Sequence, residues 1–198
     1  VNFNDPSGNY STGAHNQIIE KAFPNMSNRM LQAIKDGSKA ADSYFKGYQG
    51  DDYAFMHAMT SSTLNRSKSQ SMMVTFIDAK MAEYHSLVAQ GKNEYFKGNH
   101  HAANALEYQA GVSLGMALHP VMDSTSPAHK DFNLWDMGDM LDHGPWPTSL
   151  ENKSALANNP ELLTSSINRI HQIYNGISAS IVFPSSPNNS LQREAYRK

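Results

Sequence analysis

Residues 111–132 read GVSLGMALHPVMDSTSPAHKDF, and the order of events in that stretch decides how the chain is read. A run of small and apolar residues with helical character ends on His119 and Asp123, four positions apart. On a helix that spacing puts an imidazole and a carboxylate on one face, their Cβ atoms about 5–6 Å apart. Ser124, Thr125, Ser126 and Pro127 then form a turn, since Pro127 has no N–H to continue the ladder. The turn is expected to bring His129 back towards the pair. Two neutral imidazoles and a carboxylate on one point are a zinc ligand set of the N/O type. The same residues also suit a helix end at which His and Asp pair with each other. Pro120 predicts either a kink beside His119, which keeps the pair together, or a helix end before it, which separates them.

Working outward, Asn99 opens the helix that leads into this stretch, with His100 and His101 in its first turn and facing solvent. Ala102, Ala103, Ala105, Ala110, Gly111, Ser113, Gly115 and Ala117 leave its surface shallow, as suits a central helix that others approach closely. Ser67 to Gln90 is the clearest amphipathic helix: Met72, Met73, Phe76, Ile77, Met81, Tyr84, Leu87 and Val88 recur at three and four, and Gly91 is expected to end it. Its methionines read as core filler and His85 as solvent-facing.

Towards the N-terminus, residues 1–13 read as a loop, and Ser11 or Thr12 caps a helix from Ala14 to Phe23. His15, in its first turn, reads on its own as a surface residue. Pro24 stops that helix, and Met26 to Ile34 predicts a short second one closed by Asp36-Gly37. The aromatic, aperiodic stretch SKAADSYFKGYQGDDYAFMHAM (38–59) reads as a long ordered loop feeding a helix that starts near Asp51 or Asp52 and carries His57.

Beyond Phe132 the chain is irregular and acidic. His143 sits on a loop before Gly144, Pro145 and Pro147, while Trp135 and Trp146 are placed to wall a cleft. Thr148 or Ser149 with Glu151 marks a helix start, and Pro160 to Val182 predicts one last amphipathic helix with His171 packed near its apolar stripe. Residues 184–198 read as a polar tail. No segment reads as a strand. The expected class is all-α, a single multi-helix domain over residues 1–183 with long ordered loops.

Composition narrows the chemistry. A chain of 198 residues is long enough for a sizeable core. Its longest apolar runs fall far short of the ~20 residues that span a membrane. A net charge of −2 with interspersed signs argues against a duplex-binding module. With no cysteine and nine histidines, any metal site must use His, Asp, Glu or backbone. The start at Val1, without Met or a signal-type segment, suggests a piece excised from something longer.

Taken as an ordered set, His15, Asp42, His57, His119-x-x-x-Asp123, His129 and His143 resemble the bacterial zinc-dependent phospholipase C family. GAHNQIIEKAF is similar to that family's first helix, KDGSKAADSYF to the segment with its catalytic aspartate, and AFMHAM to the short histidine segment that follows. SLGMALHPVMDSTSPAH is similar to its central signature, with the same offsets. The resemblance covers roughly residues 13 to 143. It extends to the related zinc-dependent single-strand nucleases, and implies an all-α fold around a cluster of about two to three zinc ions.

Carried over residue by residue, the resemblance implies one zinc on His57, His119 and Asp123, with Asp42 nearby as the catalytic carboxylate. A second would use His15 and share Asp123, and a third would use His129 and His143. Two departures stand out. The family's glutamate ligand would fall on Pro147, leaving Glu151 as a substitute, and its N-terminal tryptophan is replaced by Val1.

The reaction expected of such a cluster is phosphodiester hydrolysis, because cations offset the diester's charge and acidify water while Asp42 takes the proton. Tyr44, Phe45, Tyr48, Tyr53, Phe55, Trp135 and Trp146 could stack on bases or line a choline-type cage, though Phe55 reads better as core. AFMHAM and the SxxP loop are closer to the phospholipase branch, in particular to versions found as toxic C-terminal modules of large secreted bacterial proteins. That implies a phospholipid substrate at a membrane surface, export from the producing cell, a cognate inhibitor protein and no stable nucleic-acid partner. The alternatives are a zinc-dependent single-strand nuclease and a non-enzymatic helical binding module with incidental histidines.

Overall fold

The computed structural model describes residues 12–43, 48, 50–129, 132–134 and 153–184. Among the described residues seven α-helices follow in order: α1 (Thr12–Ala22), α2 (Asn28–Ala41), α3 (Arg66–Phe96), α4 (His100–Asp123), α5 (Lys153–Asn158), α6 (Pro160–Tyr174) and α7 (Ala179–Val182). The 3-10 segments Asp51–His57 and Pro127–His129 lie near the ends of α2 and α4. Among the described residues no strand forms; the chain's extended pairing is a single parallel bridge between Thr60 and Leu134. The all-α class therefore holds. Among the described residues no helix is long and apolar enough to cross a membrane.

The helix starts follow local chemistry. The Ser27 side chain accepts the Met30 N–H to open α2, and Asn65 accepts the Lys68 N–H at 2.9 Å to open α3. Pro160 occupies the first turn of α6, where its missing N–H costs nothing. Asp78, on α3, accepts the Ala179 N–H and the Ser178 hydroxyl, pinning α7 onto α3.

At the centre, α4 packs between α2 and α3, and its small residues make that possible. A Cβ added at Gly115 would lie 1.9 Å from the Ile34 carbonyl oxygen, and one at Gly37 would lie 2.1 Å from the Val112 carbonyl oxygen. The two backbones touch there, and only glycine leaves the space. Ile18, Ile19, Ile34, Met73, Ile77, Leu114, Leu118 and Met122 are fully enclosed around this contact, each worth roughly 1.5–3 kcal/mol of apolar burial. Phe55, expected in the core, is buried there too.

Several boundaries differ from the sequence expectation, and glycine accounts for most of them. The second helix does not close at Asp36-Gly37 but continues to Ala41, because Gly37 is a packing contact and not a terminator. Residues 38–41 therefore belong to a helix, not to a loop. Gly91 likewise lies inside α3, which runs to Phe96; the stop comes at Gly98, whose φ of 83° only glycine adopts freely. The expected single helix over Pro160–Val182 breaks into α6 and α7 at Gly176, with φ 86°. The element carrying His57 is a 3-10 segment beginning at Asp51, as placed, but tighter than an α-helix. Pro120 leaves α4 unbroken to Asp123, so the His119–Asp123 spacing is preserved.

Candidate metal centre

Four elements bring their ends to one point. The first turn of α1 gives His15, the C-cap of α2 gives Asp42, the end of the 3-10 segment gives His57, and the last turn of α4 gives His119 and Asp123. His57 is aimed by an unusual turn: Ala58, which follows it, is left-handed at φ 53°, a strained conformation for a residue with a Cβ. The chain is held in that turn by Ala58 N–H bonds to the carbonyls of Ala54 and Phe55, and by the Ser69 hydroxyl donating to the Met59 carbonyl.

The donor atoms are spaced as ligands. His57 Nδ1 lies 3.1 Å from His119 Nε2, 3.4 Å from Asp123 Oδ2 and 3.9 Å from Asp42 Oδ1. His119 Nε2 lies 3.0 Å from Asp123 Oδ2 and 3.2 Å from Asp42 Oδ1. A tetrahedral ion with bonds of about 2.0–2.1 Å sets its ligands about 3.3–3.4 Å apart, in the middle of that range. The contacts are not a self-contained hydrogen-bond network. Asp123 Oδ2 is fully buried, with His119 Nε2 at 3.0 Å and His57 Nδ1 at 3.4 Å. A buried carboxylate among imidazole nitrogens leaves room for positive charge at the same point, as a protonated imidazole or as a cation. Donor set and spacing fit: the buried His15, His57, His119 and Asp123, with Asp42, could hold a metal ion.

Asp123 faces two ways. Its Oδ2 lies beside His57 Nδ1 and His119 Nε2 while its Oδ1 lies 2.9 Å from His15 Nε2. His15, which read alone as a surface residue, is 1% exposed, because its position in the first turn of α1 turns inward with Ala14, Ile18 and Ile19. Asp42 is not on a loop apart from the candidate ligands; it groups with His57 and His119, while Asp123 groups with His119 and His15. Its side chain keeps 7% of its surface, whereas that of Asp123 keeps none.

Second contacts fix the protons. The Tyr48 carbonyl, 3.1 Å from His57 Nε2, can only accept, so Nε2 carries the hydrogen and the Nδ1 lone pair is turned to the cluster. Burial alone would strip a proton from His119, but Asp123 and then Asp42 outweigh it and hold its pKa well above the usual histidine range. For Asp123, burial favours the neutral acid, and His119 foremost overrides it, keeping the carboxyl well below its usual range. With neutral imidazoles the two carboxylates bring two negative charges into this enclosed volume. Positive charge is drawn there to offset them, as protons or as a cation.

His129 is buried, but it does not join either donor group among the described residues. Its Nδ1 lies 2.5 Å from the His57 carbonyl, which can only accept, so Nδ1–H is fixed and Nε2 is the nitrogen with a lone pair. His143 and Glu151, with Val1, Tyr44, Phe45, Trp135 and Trp146, lie outside the described residues. His85, His100 and His101 are exposed, as expected. His171 is more exposed than expected, though its Nε2 binds the Ala22 carbonyl at 2.8 Å. Tyr53 is 39% exposed and packs edge-on against Tyr48.

One participant was missed by sequence reasoning. Ser38 lies between His15 and His119, and was assigned to a loop. The signal was present: Ala33, Ile34, Gly37, Ser38 and Ala41 form a helical stripe that carries α2 past Gly37. Comparison of the chain with protein-family models, with curated proteins and with solved structures finds no match in any of the three.

Proposed function

We propose that this chain is a zinc-dependent phosphodiester hydrolase of the phospholipase C type. The observation that carries the reading is the pair of buried donor groups that share His119, Asp42 with His57 on one side and Asp123 with His15 on the other. Nitrogen and oxygen donors without thiolate, several of them 3.0–3.4 Å apart, suit zinc. Asp123 and His15 offer a second position, and His129, with His143 and Glu151 as its proposed partners, a third.

When bound, zinc would supply positive charge that offsets the negative charge of a phosphodiester and would lower the pKa of water towards neutrality. The side chains do the rest. Asp42, the carboxylate that retains some exposure, accepts the proton of the attacking water. Enclosed Asp123 would hold a metal with His57 and His119 through Oδ2 and with His15 through Oδ1. The proposed substrate is a phospholipid headgroup diester at a membrane surface, within an exported toxin module restrained by a cognate inhibitor, and without a stable nucleic-acid partner. Exposed Tyr53, beside Tyr48 and on the same segment as His57, favours a second reading, a single-strand nuclease, because an open ring can stack on a base.

The test measures metal content after purification without chelators, then hydrolysis of phosphatidylcholine vesicles and of single-stranded DNA. Zinc at one or more equivalents and release of phosphorylated headgroup are expected. Release of nucleotides with inert lipid moves the chain to the nuclease reading. Absence of bound zinc, with no thermal shift on adding it, sinks both and leaves a helical binding module.

A further inference from the structure

We propose that Ser38 is a positioning residue for the metal centre, the group that sets the tautomers of His119 and His15 together. The inference rests on the metal reading above and adds a residue to it. Ser38 is completely buried in the last turns of α2. Its Oγ lies 3.4 Å from His119 Nδ1 and 3.5 Å from His15 Nδ1, long hydrogen bonds shared between two rings that meet edge to face, 79° apart.

The proton count follows from the other ends of those rings. His119 Nε2 faces Asp42, Asp123 and His57 Nδ1, while His15 Nε2 faces Asp123 Oδ1. Each Nε2 can bind a cation only through its lone pair, which requires a hydrogen on each Nδ1. A hydroxyl has two lone pairs and one hydrogen, so one oxygen can accept both Nδ1–H groups while its own hydrogen turns away. An alanine would accept neither, and the His119 imidazole could then move its hydrogen to Nε2, where it would bond a carboxylate and occupy the ligand position; His15 Nδ1 would lose the nearer of its two facing oxygens, with Asp42 Oδ2 at 3.9 Å.

The backbone holds Ser38 at that point. A Cβ at Gly115 would lie 2.8 Å from the Ser38 nitrogen, so the contact of α2 with α4 is what places this hydroxyl beneath the ligand-bearing turn of α4.

The test compares Ser38→Ala with Ser113→Ala, another buried serine, whose hydroxyl donates to the Lys80 carbonyl away from the cluster. Zinc affinity is read by competition with a chromophoric chelator, and the imidazole tautomers by long-range proton–nitrogen NMR on the zinc-loaded wild type. Ser38→Ala should weaken zinc about 10–100-fold, the usual loss when a ligand's outer partner is removed, with Ser113→Ala close to wild type. In the wild type, His119 and His15 should carry hydrogen on Nδ1. Unchanged zinc affinity in Ser38→Ala, or hydrogen on Nε2 of either histidine in the loaded wild type, overturns the role of Ser38 alone. A wild type that binds no zinc overturns the metal reading and this inference with it.

Discussion

Replacing Gly115 by alanine is the most direct probe of how the helix contact serves the site. In an isolated helix the change would help, since alanine is favoured over glycine by about 1 kcal/mol. Here the new Cβ would stand 1.9 Å from the Ile34 carbonyl oxygen and 2.8 Å from the Ser38 nitrogen. Both are backbone atoms, which cannot rotate aside. Reaching ordinary contact requires α2 to move by about 1.5 Å, and overpacking of this kind typically costs 1–3 kcal/mol or more. The cost should exceed the propensity gain, for a net loss of about 2 kcal/mol. At this chain length each kcal/mol shifts Tm by about 2–4 °C, so a fall of about 4–8 °C is expected. The shift should also draw Ser38 and Asp42 away from His119, so zinc affinity should drop with stability. Gly91→Ala is the matched control: its Cβ would meet nothing nearer than the Ala103 carbonyl oxygen at 3.5 Å. That variant should gain roughly 0.5–1 kcal/mol. Urea unfolding of both variants, metal-free and zinc-loaded, decides the matter. A Gly115→Ala protein as stable as wild type, with unchanged zinc affinity, refutes the close contact.

Further outcomes follow from the same geometry. Asp123→Ala should remove more metal than His15→Ala, because its two oxygens face two different groups; elemental analysis showing the reverse would end its two-way role. Asp42→Asn should lower both activity and zinc affinity, activity by about a hundredfold or more, since one oxygen serves in the donor ring and a general base contributes about 10²–10⁴-fold. Asp51→Asn should leave metal content alone and cost at most about 1 kcal/mol, because its exposed carboxylate accepts only the Ser62 hydroxyl among the described contacts. Chelation should lower the melting temperature: zinc at a hundredfold above its Kd stabilises by about 2.7 kcal/mol, and a melting curve indifferent to chelator contradicts structural coupling of the site.

Much of the fold was legible in the chain because helix formation is a local matter. The three-and-four recurrence along α3, the opening of α4 at Asn99 and the shallow small-residue face of α4 all come from neighbours within one or two turns. For the same reason His119 and Asp123 could be paired at once: four residues on one helix fix their separation whatever surrounds them. Glycine was ambiguous because its role is set from outside. Gly37, Gly91 and Gly98 look alike in sequence, yet the first touches another backbone, the second sits beside one with room to spare, and the third adopts a positive φ. His15 and Asp123 are 108 positions apart, and nothing local distinguishes an inward-facing histidine in a first turn from an exposed one. The resemblance supplied the set of residues, but the lone pairs were set by partners from other elements: the Tyr48 carbonyl for His57, the His57 carbonyl for His129, and Ser38 between His15 and His119. The sequence alone determined which side chains share a helix face, because covalent spacing and helical pitch leave no choice. Only the tertiary structure decided which nitrogens and oxygens converge, because that depends on how closely α2 and α4 approach, a distance set by the space left at Gly37 and Gly115.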